Sequence, residues 1–281
     1  MTGTTTRRKP ILPTAILVLG AIYCLFPVAW LVIASTKSSG QLFGTFTLEP
    51  GTGLVSNLRQ LFTLENGVYL SWVKNTMIYA FGGAALSTLI SAMAGYALAK
   101  FVFPGRETFF RFLVAGVLIP AITLAIPQYF LMAKIGLADT YWSVLLPCLV
   151  SPFGIYLCRV YASAAIPDEM LEAARIDGAS EWRLFWFVAI PVMVPGLVTV
   201  FLLQFVGIWN NFLLPYLMLS DPTKFPLTLG LYTLISQGNG QTTLYSALLV
   251  GVALSVLPLI AIIMFLQRFW KMDLISGGVK G

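Results

Sequence analysis

The chain has 281 residues, of which 58% are apolar or aromatic and 10% charged, with a mean hydropathy of +0.86. An average soluble domain carries about 25% charge; so few charged groups cannot cover a water-facing surface, and a soluble globular protein is excluded. The net charge is +6 and histidine is absent, which removes imidazole bases, histidine-activated nucleophiles and imidazole metal sites.

In chain order, charge-free runs mark the membrane segments. Residues 11–34, 76–99, 112–133 and 140–158 each approach or exceed the roughly 20 residues that cross hydrocarbon. The runs 184–220 and 225–267 are too long for one helix. Pro191 and Pro195 punctuate the first, and Gly238, Asn239 and Gly240 interrupt the second, which sets spans at 194–217 and 243–267. The sequence therefore predicts an all-α, polytopic membrane protein with six transmembrane helices, a 1–10 tail and a single membrane domain over 11–281. The first run follows Arg7, Arg8 and Lys9 but is long and lacks a small-residue cleavage site, so it reads as a retained helix.

Orientation follows from the cations. With the N-terminal tail in the cytoplasm, 12 of the 17 Lys and Arg fall inside, and only Lys37, Arg59, Lys74, Lys134 and Lys224 fall outside. An even helix count then returns the C-terminus to the cytoplasm. Topology accounts for the +6, and no basic helix or aromatic platform points to nucleic acid. Cys24, Cys148 and Cys158 lie in apolar runs without a CxxC pair and read as packing residues. The external segments are 35–74 and 220–242; the sizeable cytoplasmic loop is 162–189.

That loop, AIPDEMLEAARIDGASEWRLFWFVAIP, opens with Pro167 and Asp168 as a helix start, with Glu169 and Glu172 in the favourable N-terminal turns. Glu169, Glu172 and Arg175 form one charged stripe, while Met170, Leu171, Ala173 and Ala174 supply a small, apolar side that another surface can approach. Gly178 permits a bend. Ser180 is placed to cap a second helix whose Trp182, Phe185, Trp186, Ala189 and Ile190 share a face. The alternative reading is a solvated connector.

The segment EAARIDGASEWRLFWFVAIP resembles the signature loop of permease subunits in bacterial ATP-binding-cassette importers, on the residues Glu172, Ala173, Ala174, Asp177, Gly178, Ala179, Phe185, Ile190 and Pro191. Many members have Leu where this chain has Ile190. The resemblance covers nearly the whole chain and points to the carbohydrate branch, similar to the shorter permease of maltose-type importers. It also rests on WVKNT (72–76), WNNFLLP (209–215), PLTLGL (226–231) and GGVKG (277–281). Many relatives carry Glu where this chain has Asn211. The resemblance implies a type I importer permease fold in a bacterial cytoplasmic membrane. It implies that Glu172, Ala173, Ala174, Asp177 and Gly178 couple to a separate ATPase, which binds the ATP and Mg. The implied assembly holds a second homologous permease, two ATPase subunits and an extracytoplasmic solute-binding protein.

The residues agree that this chain does not power transport by itself, since it has no GxxxxGK[ST] phosphate loop, and the absence of histidine and of paired intramembrane carboxylates disfavours an enzyme. The six assigned spans hold no charge at their centres, which disfavours ion-coupled transport. Gln128, Tyr156, Trp209, Asn210 and Asn211 are the candidates for a path taken by a neutral, polyhydroxylated cargo, with Tyr129 and Gln204 as further polar groups. Each has an alternative in helix packing. Gly82, Gly83, Gly95 and Gly207 are expected to allow close helix approach, and Pro120 and Pro127 to kink the third span. Glycerol phosphate or another small solute is the runner-up cargo; a channel, or a small multispan membrane enzyme, is the reading from other classes.

Overall fold

A computed structural model describes residues 11–44, 47–237 and 242–277. The N-terminal tail, the Gly238–Asn239–Gly240 break and residues 278–281 of the GGVKG motif lie outside the described residues. The described chain is helical, without a strand, and forms two compact units.

One unit comprises residues 1–66 and 234–254. It holds α1 (Ile11–Ser35), the short α2 (Ser39–Gly44) and α3 (Leu54–Thr63). α1 is apolar and exposed along nearly its whole length, as befits a lipid-facing span. The chain beyond it folds back onto its end: Asn57 Nδ2 donates to the carbonyls of Ser35 (3.0 Å) and Lys37 (2.9 Å). Gly51 sits where a Cβ would fall 2.7 Å from Thr36 O, so only glycine lets the two strands of chain meet there.

The other unit comprises residues 67–233 and 255–281. Its second span runs from α4 (Val68–Met77) through a π-helical turn (Ile78–Gly82) into α5 (Gly83–Lys100), eight residues earlier than the charge-free run predicts. Lys74 bounds the charge-free run in sequence, yet the backbone stays helical through it.

The third span is not one kinked rod. α6 (Arg106–Val117) and α7 (Ala121–Lys134) meet at a 103° bend. Pro120 has no N–H to continue the ladder and disfavours helical backbone at the residue before it; Pro127 is absorbed within α7.

The fourth span is also broken: α8 (Tyr141–Leu149) gives way at Val150 and Ser151 to α9 (Pro152–Ala165). Ser151 accepts the Gly154 N–H at 3.0 Å, a cap followed by proline at the first helical position. Because α9 continues to Ala165, Arg159 lies inside it. Its guanidinium sits 3.7 Å from the Phe110 ring centroid and 2.6 Å from Glu107 Oε1.

After α10 (Asp168–Ile176) and the single turn α11 (Glu181–Arg183), a π-helical stretch Leu184–Ala189 leads into α12 (Ile190–Trp209). The fifth span therefore starts at Glu181 and not at Val194. Pro191 falls where the π-helical stretch gives way to regular helix, so it does not end the rod. The span also ends early: α12 stops at Trp209, and a separate α13 (Leu213–Met218) follows. α14 (Leu227–Gln237) and α15 (Thr242–Gly277) complete the chain, α15 containing the last predicted span.

α5, α9 and α12 pack into the centre of this unit. Ser87, Ser91 and Gly95 on α5, and Gly154, Cys158 and Ala162 on α9, recur every four residues, so small side chains line both helices where they meet. A Cβ on Gly95 would fall 2.5 Å from Cys158 Cβ, and one on Gly154 would fall 2.7 Å from Ser91 Oγ. Gly83 also faces a close neighbour, Ile208 Cδ1, at 2.9 Å. Gly82 and Gly207 do not; nothing lies within 4 Å of the Cβ positions there.

Candidate functional site

α10 is built as a short bracket on the end of the α5–α9–α12 core. Pro167 occupies the cap position, and Asp168 and Glu169 fill the first turn, where acidic groups favour the helix dipole. Its C-terminus closes with the Gly178 N–H on Arg175 O and the Ala179 N–H on Ala174 O, both 3.0 Å. That hydrogen-bond pair needs a left-handed residue, and Gly178 adopts φ +82°.

The apolar side anticipated in sequence divides in two. Leu171 is 2% exposed and plugs into the cluster formed by Tyr96, Cys158, Ile166, Leu184 and Phe185, with Ala174 packed beside it. Met170, Ala173 and Ile176 point the other way, Ile176 being 86% exposed. The split follows helical geometry, since positions 171 and 174 share one face and 170, 173 and 176 the next.

Two ion pairs brace the bracket. Lys100 Nζ, nearly buried, lies 2.7 Å from Asp168 Oδ1 and also donates to Ile166 O. The ammonium beside it holds the Asp168 carboxyl below the usual aspartate range. Arg175 Nε lies 2.9 Å from Glu181 Oε1 and ties α10 to α11 across the bend. Ser180 occupies the cap position of α11 but its side chain accepts no capping bond. Of the residues assigned to coupling, Glu172, Ala173, Asp177 and Gly178 are thus on the exposed side, and Ala174 is turned toward the chain's own core.

A cavity of about 410 Å³ opens at the breaks in the third and fourth spans. Gly116, Ile119 and Ala121 line it from the 103° bend, Cys148 and Ser151 from the α8–α9 break, and Leu213 and Leu214 from α13. Its polar groups are Gln128, Ser151 and Asn211, and no charged residue lines it.

Among the five candidate pathway residues the structure brings together Gln128 and Asn211. Asn210 instead closes the end of α12, its Nδ2 donating to Val206 O at 2.9 Å. Trp209 is 3% exposed and packs on Phe205, with ring centroids 5.4 Å apart. Tyr156 does not line the cavity; it stacks on Phe110 and on Phe153, and Phe153 is part of the lining. Ser151 is the lining residue that sequence reasoning missed; the Ser-Pro pair at 151–152 was the signal for a helix start inside an apolar run.

The family described as "Binding-protein-dependent transport system inner membrane component" matches residues 87–271. The chain is 37% identical over 265 residues to the arabinooligosaccharides transport system permease protein AraQ of Halalkalibacterium halodurans, covering 93% of each. It is 32% identical to the lactose transport system permease protein LacG of Rhizobium radiobacter over the full length of both. Its fold resembles, with a TM-score of 0.82 and 24% identity, a chain of a bacterial ABC transporter involved in import of the acidic polysaccharide alginate, covering 95% of this chain and 98% of that one.

Proposed function

Since the chain belongs to the family of inner-membrane components of binding-protein-dependent transport systems, we propose that it forms half of the path by which an ATP-driven importer carries a neutral sugar into the cell. In this reading α10 receives the movement of a separate ATPase, which holds ATP and Mg. The observation that carries it is the division of α10: Leu171 is fixed in the core while Glu172, Ala173 and Ile176 are exposed. A helix of nine residues, about 13 Å long, with one face seated and one face free, transmits a push on the free face directly to α5, α9 and α12.

The excess of cations on the α10 side supports a cytoplasmic position for that side and for both termini. The two-sugar pattern among relatives, arabinooligosaccharides and lactose, supports a saccharide cargo. So does a cavity whose polar groups are amides and a hydroxyl, which pair with sugar hydroxyls, and which offers no cation to a phosphate. The remaining partners are a second homologous permease that closes the path, a second ATPase and an extracytoplasmic sugar-binding protein.

The test is purification of the tagged chain from its native membrane, with uptake measured in proteoliposomes using lactose and arabinotriose as probes. Co-purification of an ATPase and a second permease, with ATP-dependent uptake of either probe, is the expected result. A solitary chain that passes solute without ATP would establish a channel instead.

A further inference from the structure

Three sequence motifs that the coupling reading leaves unused, WVKNT, WNNFLLP and PLTLGL, meet in the structure at the end of the second span remote from α10. Asn75 Nδ2 donates to the carbonyls of Thr223 (2.7 Å) and Phe225 (3.0 Å), and Asn75 Oδ1 accepts the Tyr141 hydroxyl at 2.7 Å. Asn75 is 1% exposed and every polar atom of its side chain is engaged. On either side of it, Trp72 Nε1 donates to Pro222 O (3.0 Å) and Thr76 Oγ1 accepts the Leu227 N–H (2.7 Å). The Trp72 indole lies against Gly230, where a Cβ would fall 2.1 Å from Cδ2. From the loop before α8, Asp139 Oδ1 accepts the N–H groups of Ser220 (3.0 Å) and Asp221 (3.1 Å), and its Oδ2 lies 3.2 Å from Lys224 Nζ.

Loops ordinarily leave their backbone to water. Here the segment from Ser220 to Leu227 is held by side chains of the second span and by Asp139 from the loop before α8, and the hold continues into the cavity wall. Thr228 Oγ1 donates to Asn211 O at 2.9 Å, just before α13, and the Asp139 N–H donates to Met218 O at 2.9 Å, the last residue of α13. The six-residue helix that contributes Leu213 and Leu214 to the cavity is therefore pinned at both ends.

We propose that Asn75 is a positioning residue for the substrate cavity: through the 220–228 segment it fixes α13 and the Asn211 wall that the sugar passes. The proposal rests on reading that cavity as the transport path. It is a positioning role because Asn75 does not line the cavity, and its effect reaches the wall through Thr228 and Asn211.

The test uses two substitutions that cut the chain of bonds at different links. Asn75→Asp keeps the acceptor for Tyr141 but replaces the donor pair with a charge facing two carbonyls; Thr228→Val removes only the bond to Asn211. The first readout needs no ligand: maleimide labelling of Leu213→Cys in native membranes, with the native Cys148 on the α8 side of the lining as the internal reference. Each substitution is expected to change the Leu213→Cys rate about three- to tenfold, the factor for one or two ordinary hydrogen bonds, while Cys148 stays within about twofold of its starting rate. The second readout is lactose or arabinotriose uptake per ATP hydrolysed by the full assembly, expected to fall by a similar factor. A merely structural role would lower uptake and hydrolysis in step and leave the ratio unchanged. Unchanged labelling in both variants would overturn the proposal, and so would shifted labelling with an unchanged ratio. An unsubstituted assembly that takes up neither probe would count against the sugar-importer reading, and the labelling would still decide whether Asn75 positions α13.

Discussion

The two ends of the second helical span, roughly 37 Å apart if Asn75 and Lys100 lie on one helical rise, are constructed in opposite ways. At the Asn75 end, the Asn75 amide, the Trp72 indole, the Tyr79 phenol, which donates to Lys224 O, and the Asp139 carboxylate converge on one loop and satisfy its backbone from within the chain. At the Lys100 end, α10 is secured at its base, by Leu171, Ala174 and two ion pairs, and its outer face of Met170, Glu172, Ala173 and Ile176 is exposed. One end is complete in itself; in the proposed reading the other is completed by a partner. That reading needs both, because a lever delivers movement only to a wall that does not yield.

The sharpest way to break the comparison is to reverse charge on the free face. Glu172→Lys leaves the Leu171 anchor and both ion pairs in place, so the folded chain should persist in the membrane at its normal level. Where the partner surface is matched to an acidic side chain, like charges set face to face cost several kcal/mol, and ATPase retention and uptake are expected to fall at least about 100-fold. Equal uptake by variant and parent would detach α10 from coupling.

The corresponding change at the finished end acts on stability first. Gly230→Ala drives a methyl group into the Trp72 indole, and overpacking of this kind costs about 1–3 kcal/mol. The purified protein should unfold at a lower temperature in detergent, with ATPase retention by α10 unaffected. A variant as stable as the parent would show that the indole shifts aside and that the clamp is looser than its bonds imply.

How much of this was legible in the sequence differs between the same two ends. α10 announces itself locally: a proline and acidic start, a charged stripe at helical spacing and a glycine at the bend lie within about a dozen residues, and the structure places Gly178 at φ +82°. The clamp has no local signature, since Trp72 and Pro222, or Asn75 and Phe225, are 150 residues apart in the chain. WVKNT and PLTLGL were visible as motifs, but nothing in either string says that one binds the other. Counting charge-free residues located the membrane segments, and Pro120 marked the bend in the third span, but the count gave no sign of the break at Ser151, because hydropathy averages over individual backbone bonds. The same averaging hid Arg159 inside the fourth helix, where Glu107 and the Phe110 ring shelter it. Small residues were ambiguous in their own way: Gly95 does meet Cys158, but Gly82 and Gly207 face open space in this chain.

Separating Asn210 from Asn211 sharpens the picture of the cavity. The structure gives Asn210 to the end of α12 and Asn211 to the cavity lining, where Asn211 Oδ1 also accepts the Leu214 N–H at 3.3 Å. Asn211→Leu should lower uptake about three- to tenfold at constant ATPase retention, the loss of one or two hydrogen bonds to a cargo hydroxyl. Asn210→Leu should change stability more than transport. Identical transport defects in the two variants would mean that Asn211 acts through the helix end and not through the cargo.

The mildest effect is electrostatic and concerns the finished end alone. Burial raises the Asp139 pKa, but the N–H groups of Ser220 and Asp221 and the Lys224 ammonium together outweigh it, so the carboxyl lies below the ordinary aspartate value of 3.8. Asp221 is lowered as well, chiefly by the Thr223 hydroxyl and N–H. A carboxylate depressed in the folded state contributes stability above its unfolded pKa of about 3.9 and loses that contribution as pH falls through the folded value. No histidine titrates in between, so from these groups the stability of the clamp should be flat from about pH 5 to pH 8 and decline only below about pH 4. Asp139→Asn provides the comparison: its unfolding temperature should lie below that of the parent at pH 7, and the two should converge as the pH is taken below the folded pKa. Parallel curves, separated by the same interval at acid and neutral pH, would show that Asp139 holds the loop by shape alone and that its charge contributes nothing.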